Sequence, residues 1–464
     1  MPAETKYRNA GFGHKKENNQ SMRKMNAYST YRLAIGYYLL CVVLFSACSV
    51  SSTITKEKST FVFLDSLSKK CQVGIAVYDV DANEYLYQKD AEKYFIPSSN
   101  AKLFTLYAGM KYLGDSIVGL AYRESNDTVF IQPTADPTFL HEDFQTHPTF
   151  EFLKSKKNIV VENNSTKYLF ESYGSGWMWD DYNTSYMPER SAFPVYGNML
   201  RFYSQGKQIF SLPSVHQVLL DSSTDGTFTI QRDLHANHFY LNYTADAKPF
   251  TTAQVPFITS LSNTVSFLKD TLKNTSIFIV STEKANSASY RKIYSQISDS
   301  LFKKMMHQSD NFFAEQVVLM VSNKRLNQLN DRQILDSILL TDFSDIPQQP
   351  RWVDGSGLSR YNLFTPQSMV YILKKLNTDF GWKRIQSILP TGGEGTLKNY
   401  YLADSGFFFA KTGSMSNQFA ISGYMITAKN KKLIFSVIVN NFMESGQVIR
   451  RAVEAYLHKI RMEN

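Results

Sequence analysis

The sequence predicts an α/β (α+β) fold in which strands from both ends of the chain build one unit, split in sequence by a β-rich insertion. Three observations predict it. Toward the N-terminal side, Val73–Val80 (VGIAVYDV) is an apolar run of strand length, Asp81-Ala82-Asn83 is a turn, and Glu84–Gln88 returns as a second strand. Toward the C-terminal end, FFFAKTGSMSN, SGYMITAKN and KKLIFSVIVNNF read as three strands separated by Gly and Asn/Lys turns. From about 114 to 290, short β-like runs such as DTVFIQPTADPTF, TFTIQRDL and HFYLNYTA alternate with Asn, Asp, Ser and Gly turns. If the terminal strands join one sheet, the unit is 59–113 plus 291–464, and 114–290 is a separate inserted domain with room for two subdomains.

The remaining elements follow in order. In IPSSNAKLFTLYAGMKYL, Pro97 precedes a serine pair, and Leu103, Leu106, Tyr107, Met110 and Leu113 recur at helical spacing, so Ser99 stands at a helix N-terminus. Apolar residues three to four apart predict helices over 291–324 and 333–341. DGSGLSRYN is a loop, a helix follows Pro366, and an amphipathic helix over Gly446–Arg461 closes the chain.

The chain has 464 residues, 43% hydrophobic and 20% charged, enough for a sizeable core and unlike a disordered protein. The net charge of +9 is concentrated at the start. Residues 1–48 hold seven Lys/Arg and two Glu, a balance of +5, which leaves +4 over the other 416 residues and argues against a nucleic-acid-binding protein. The basic N-terminus leads into the apolar stretch Leu33–Cys48, 16 residues against the roughly 20 of a membrane span. A signal peptide over 1–48 fits that length. The alternative is an uncleaved anchor helix, and both place the rest of the chain outside the cytoplasm. Phe45-Ser46-Ala47-Cys48 resembles a bacterial lipoprotein signal, which implies lipidation of Cys48, a tether over 49–58 (SVSSTITKEK) and a periplasm-facing protein anchored in the cell envelope. Of the three cysteines only Cys71 then remains as a thiol, and it reads as a packed residue before a strand.

Ser99 and Lys102 form a Ser-x-x-Lys pair, but so do Ser21/Lys24, Ser66/Lys69, Ser281/Lys284 and Ser300/Lys303. Alone, the pair reads equally as a helix cap followed by a surface lysine. Two further motifs select Ser99: Ser309-Asp310-Asn311, and Lys411-Thr412-Gly413 at the end of a strand-like run. A serine hydroxyl needs a base, and Ser99 and Lys102 share a helix face. Lys102 serves as that base only if burial and a neighbouring cation, Lys411, lower its pKa. Backbone N–H groups of Ser99 and Ser414 suit an oxyanion hole, and Ser309 suits a proton relay to a leaving amine. Asn311 suits orientation of Lys102, Lys411 and Thr412 suit a substrate carboxylate, and Gly413 suits close approach of substrate to the strand edge.

These motifs, together with ADPTF, GSGWMWDDYN, SAFPVYGN, VDGSGLSRYNLFTP and LPTGGEGTLKN, resemble the low-molecular-weight class C penicillin-binding proteins of the penicillin-binding protein 4 type. So does the insertion of about 200 residues between Lys102 and Ser309. The resemblance implies a transpeptidase/β-lactamase-like fold and a D-Ala-D-Ala carboxypeptidase/endopeptidase acting on peptidoglycan peptides, with β-lactams as covalent inhibitors. It further implies that Asp181, Tyr186, Arg360 and the position of Ser416 contact a diaminopimelate side chain. A structural ion pair or solvated surface is the competing reading for Asp181 and Arg360. Trp177 and Trp179 read as packing residues, with cleft lining as the alternative, and His307 reads as structural. No cluster has zinc spacing and no glycine loop reads as a phosphate cradle, so the sequence calls for no cofactor. The rival functions are a serine β-lactamase or esterase on the same fold, and a non-catalytic wall-binding lipoprotein.

Overall fold

The computed structural model describes residues 70–464 apart from 206–207, 216–217, 223–227, 244–251, 274 and 283–288. The Leu33–Cys48 segment and the tether lie outside the described residues, as do three of the rival Ser-x-x-Lys pairs in whole or in part. Among the described residues, no helix is long and apolar enough to cross a membrane.

Strand β1 (Gln72–Asp79) is buried along all but its first residue, because its apolar run continues on both faces. β2 (Glu84–Lys89) returns beside it. A single 3-10 turn, Ser98–Ala101, then feeds helix α1 (Lys102–Tyr112), whose first nine residues are all buried.

The insertion carries β3 (Ser116–Ser125), β4 (Thr128–Pro133), α2 (Pro148–Lys154), β5 (Asn158–Asn163), β6 (Met199–Gln205), β7 (Gln208–Leu212), β8 (Val218–Ser222), β9 (Thr229–Arg232), β10 (Phe239–Tyr243), β11 (Thr252–Pro256), α3 (Leu261–Leu272) and β12 (Ser276–Ser281), and β13 (Arg291–Ile297), just past residue 290, joins its sheet. Its sheets run β12-β5-β4-β3-β13, β11-β6-β7 and β8-β10-β9, and all three contribute to one apolar cluster that includes Ile131, Phe202 and Leu241.

Three elements here differ from the sequence reading. Residues 148–154 form a short helix, and residues 261–272 a longer one, inside the stretch read as β-rich. Ser260 caps the longer helix by accepting from the Asn263 amide at 3.0 Å, and Val265, Leu268 and Leu272 fall on its buried face. The helix expected from residue 291 begins only at Ser298, because Arg291–Ile297 pairs antiparallel with β3. The β-branched and aromatic residues Ile293, Tyr294 and Ile297 favour a strand there.

The C-terminal half supplies α4 (Ser298–Gln308), α5 (Asn311–Leu326), α6 (Asp331–Thr341), α7 (Pro366–Phe380), α8 (Trp382–Ile388), β14 (Phe408–Met415), β15 (Gln418–Ile426), β16 (Lys432–Asn440) and α9 (Gly446–Glu463). Its three strands join the N-terminal hairpin in one sheet of order β14-β15-β16-β1-β2. The β1–β16 seam is antiparallel, with Ile75 opposite Val437. Ala420, Tyr424, Ile434 and Ile438 belong to the apolar core formed with α1, α4, α5, α6 and α7. Ile421, Phe435 and Val437 are also buried, and α9 packs against β15. A sheet buried on both faces explains why β15 and β16 read as continuous apolar runs.

Candidate active site

The three motifs converge because three backbone segments meet at the start of α1. Gly413 on β14 approaches so closely that a Cβ there would lie 2.6 Å from the Pro97 carbonyl oxygen and 2.8 Å from the Ser99 nitrogen. Gly357, at φ +84°, approaches from the DGSG loop, where a Cβ would lie 1.9 Å from the Ser98 oxygen. The glycine of Lys-Thr-Gly therefore admits the nucleophile turn itself, a tighter requirement than the substrate approach expected from sequence. Ser309 takes the left-handed conformation (φ 60°) that ends α4, and Asp310 caps α5 by accepting from the Phe313 amide at 2.7 Å. This helix-to-helix corner sets Asn311 facing α1.

Lys102 is fully buried. Its Nζ donates to Ser99 Oγ at 3.0 Å, to Asn311 Oδ1 at 2.6 Å and to the Ser356 carbonyl at 2.6 Å. Asn311 Nδ2 in turn donates to the Tyr186 carbonyl of the insertion at 2.8 Å. Lys411 is also fully buried, and its Nζ donates to Ser309 Oγ at 2.8 Å and to the Thr412 carbonyl at 2.6 Å. Thr412 Oγ1 donates to Thr396 Oγ1 at 2.8 Å. The one rival Ser-x-x-Lys pair fully within the described residues, Ser300/Lys303, is exposed on α4.

Burial pushes the Lys102 ammonium down to about 8, against the opposing pull of Asp354, Asp310 and Glu315. Lys411 is held well below the usual lysine range, by burial first and by repulsion from Lys102 second. That repulsion acts on both ammonium groups, and at Lys102 the carboxylates of Asp354, Asp310 and Glu315 oppose it. A lysine near 8, hydrogen-bonded to a serine hydroxyl, can accept its proton at neutral to mildly alkaline pH.

Above these buried groups opens a cleft of about 540 Å³ that Ser99, Ser309, Asn311, Thr412 and Ser414 line. Asp181, Tyr186, Arg360 and Ser416 line the same cleft, so the residues expected to contact substrate are brought to it except Lys411 and Gly413, which lie buried beneath. Neither Asp181 nor Arg360 has an ion-pair partner among the described residues, so the structural ion pair is not formed. Trp177 lines the cleft and donates Nε1 to Asp354 at 2.8 Å. Trp179 is 73% exposed, not packed, because its short 3-10 turn buries no residue. His307 is half-buried and does not line the cleft. Cys71 is half-buried just ahead of β1, and burial raises its thiol pKa.

Sequence reasoning missed a buried support behind Lys102. Glu315 accepts from the Ser356 amide at 2.7 Å and from Arg190 at 3.4 Å, and Arg190 also pairs with Asp331 at 2.6 Å. Burial, and then Asp354, push the Glu315 carboxyl up to about 7. Asp354 accepts from the amides of Gly357 and Ser359 and from Asn362 Nδ2, which fixes the loop whose Ser356 carbonyl holds Lys102. The only sequence signals were Glu315 one helical turn after Asn311 and an aspartate opening a glycine loop.

With this geometry established, residues 63–216 and 262–460 match the D-Ala-D-Ala carboxypeptidase 3 (S13) family. The chain belongs to that family. It is therefore a serine peptidase of the D-alanyl-D-alanine carboxypeptidase class. The stretch between the two matched segments lies inside the insertion and carries β8, β9, β10 and β11. The chain is 22% identical over 476 aligned residues to the D-alanyl-D-alanine carboxypeptidase DacB of Haemophilus influenzae, covering 91% of this chain and 94% of that protein. The crystal structure of penicillin binding protein 4 from Haemophilus influenzae superposes with a TM-score of 0.69 at 18% identity, covering 87% of this chain and 98% of that one; that protein has also been solved with a β-lactam. A predatory peptidoglycan endopeptidase from Bdellovibrio bacteriovorus shares the fold at a TM-score of 0.50 and 13% identity, covering 85% of this chain and 94% of its own.

Proposed function

We propose that the protein cleaves D-alanyl peptide bonds in peptidoglycan stem peptides, as a carboxypeptidase and endopeptidase, through an acyl-enzyme on Ser99. One observation carries this reading: a buried lysine with a lowered pKa is hydrogen-bonded at once to Ser99 Oγ and to Asn311 Oδ1. Lys102 takes the Ser99 proton as Oγ attacks the scissile carbonyl carbon. The amides of Ser99 and Ser414 hold the oxyanion, each worth about 10²-fold or more in rate. The C–N bond breaks as a proton passes to the leaving amine from Ser309, which the Lys411 ammonium keeps supplied. Water then attacks the acyl carbon and gives a proton through Ser309 back to Lys411, while the ester C–O bond breaks and Lys102 returns its proton to Ser99 Oγ.

In this reading 59–113 with 291–464 perform the chemistry, and 114–290 supplies the wall that carries Asp181 and Tyr186. Asp181 pairs with a diaminopimelate ammonium and Arg360 with its carboxylate. Ser416 adds a hydroxyl at the same end. β-Lactams acylate Ser99 because they present a strained amide beside a carboxylate to the same groups. Cys48 is lipidated and holds the protein on the periplasmic side of the envelope; a Cys48→Ala chain that still partitions with membranes rules this out.

The test uses the full-length chain with cross-linked diaminopimelate muropeptides and mass spectrometry of the products. Dimers converting to monomers, or loss of one alanine mass, supports the reading if Ser99→Ala abolishes both. A wild type that yields neither product but turns over penicillin is a β-lactamase instead.

A further inference from the structure

The proposed reaction leaves one charge unaccounted for. A substrate that ends in a free carboxylate brings an anion to within about 4 Å of the scissile carbonyl, one residue's reach. Lys411 is poorly suited to meet it with a full charge, since it is completely buried and its ammonium already donates to Ser309 Oγ and the Thr412 carbonyl. Among the described residues lining the cleft, only Arg360 and Arg450 are cationic and only Asp181 is anionic. Arg360 stands on the loop that meets the insertion, where its amide donates to the Gly176 carbonyl at 3.3 Å. Arg450 comes from α9 and stands on the opposite flank, beside β14.

Arg450 is built into that flank. Its Nη2 donates to Ser414 Oγ at 2.8 Å, and the guanidinium lies 5.9 Å from the ring centres of both Tyr400 and Phe419. Ser414 is also the residue whose amide the proposed reaction places in the oxyanion hole. The next residue gives the contrast. Arg451 is neutralised by Glu454 at 2.6 Å and lies over Tyr400 at 4.4 Å. Arg450 has no carboxylate within ion-pair distance among the described residues. A guanidinium has five N–H donors in a planar fork, and the contacts here use one. The rest match a carboxylate in two-pronged geometry.

We propose that Arg450 determines specificity for a free carboxylate: its guanidinium, anchored on Ser414, receives the carboxylate of the residue that leaves. This assignment rests on the proposed reaction and adds the group that selects its leaving residue.

The experiment compares an N-acyl-D-Ala-D-Ala peptide with the same peptide carrying a C-terminal amide, using the full-length chain and its Arg450→Ala, Arg450→Lys and Arg451→Ala variants. Arg450→Ala should lower kcat/KM for the acid on the order of 10²-fold and change the amide less than about threefold, so that the acid/amide preference collapses. Arg450→Lys should recover part of the preference, as a charge without the fork, and Arg451→Ala should leave the ratio intact. Equal losses on both peptides would mean that Arg450 merely supports the fold and would overturn the assignment. An unchanged ratio in Arg450→Ala would overturn it too. A wild type that cleaves neither peptide removes the proposed reaction and this assignment with it, whereas a wild type that prefers the acid while Arg450→Ala keeps that preference removes the assignment alone.

Discussion

The floor of the cleft and its walls are built on opposite principles. On the floor, Lys102 and Lys411 are fully buried, and each polar atom that touches them is hydrogen-bonded to a motif residue or to backbone. On the walls, Tyr186 is 46% exposed and Asp181, Arg360 and Arg450 have no ionic partner among the described residues. Burial gives the floor its tuned proton affinities, since a buried lysine loses the solvation that favours its charge. Exposure without partners leaves the walls free to pair with a substrate. Chemistry and selectivity are thus separable here, and substitutions should separate them.

The largest effect is expected on the floor. Lys102→Ala should lower the second-order rate of acylation by penicillin by about 10²- to 10⁴-fold, with little change in which peptides are preferred. In the wild type the same rate should rise about tenfold per pH unit below 8 and level off above it, because only neutral Lys102 accepts a proton and its ammonium titrates at about 8. Stopped-flow acylation from pH 6 to 9 reads both. A flat profile would mean that Lys102 is not the base.

On the walls, Asp181→Asn and Arg360→Ala should each cost about 10- to 100-fold in kcat/KM for diaminopimelate-bearing peptides while penicillin acylation stays within a few-fold. Both groups are solvent-accessible, so the thermal midpoint should hardly move. Loss of penicillin acylation in either variant would break the separation of floor from wall.

The smallest effect tests the boundary between them. Glu315 is one of three carboxylates that raise the Lys102 pKa, so Glu315→Gln should move the midpoint of the acylation profile to lower pH while keeping the Ser356 amide's acceptor. Its own carboxyl titrates at about 7, above the unfolded value. The wild type therefore loses stability as pH rises through 7, and Glu315→Gln should be the more stable relative to it at pH 8 than at pH 5. Denaturant titrations at the two pH values check the sign.

The sequence made the floor legible because motif chemistry and element boundaries coincide there. Ser99 and Lys102 begin a helix, Ser309 and Asn311 flank a helix corner, and Lys411 ends a buried strand run, so residue type and periodicity point to the same places. The five-stranded sheet was legible for the same reason: runs such as KKLIFSVIV are apolar on both faces. The insertion was less so. The helix at 261–272 depends on the Ser260 cap within a Ser/Thr/Asn-rich stretch that also resembles loop, and the strand at 291–297 is too short to outweigh the helical pattern that follows it. Arg190, Glu315 and Asp354 escaped notice because their importance lies in burial, which a single charged letter does not reveal. Arg450 looks like any polar residue on an amphipathic helix; only its position over Ser414 makes it distinctive.

The central claim is that Ser99, poised by Lys102, is the nucleophile, and the most direct measurement is peptide mapping of the penicillin adduct by mass spectrometry. The full-length protein is expected to carry one penicilloyl group on the peptide containing Ser99, and Ser99→Ala none. An adduct on any other serine, or undiminished labelling of Ser99→Ala, would contradict the account.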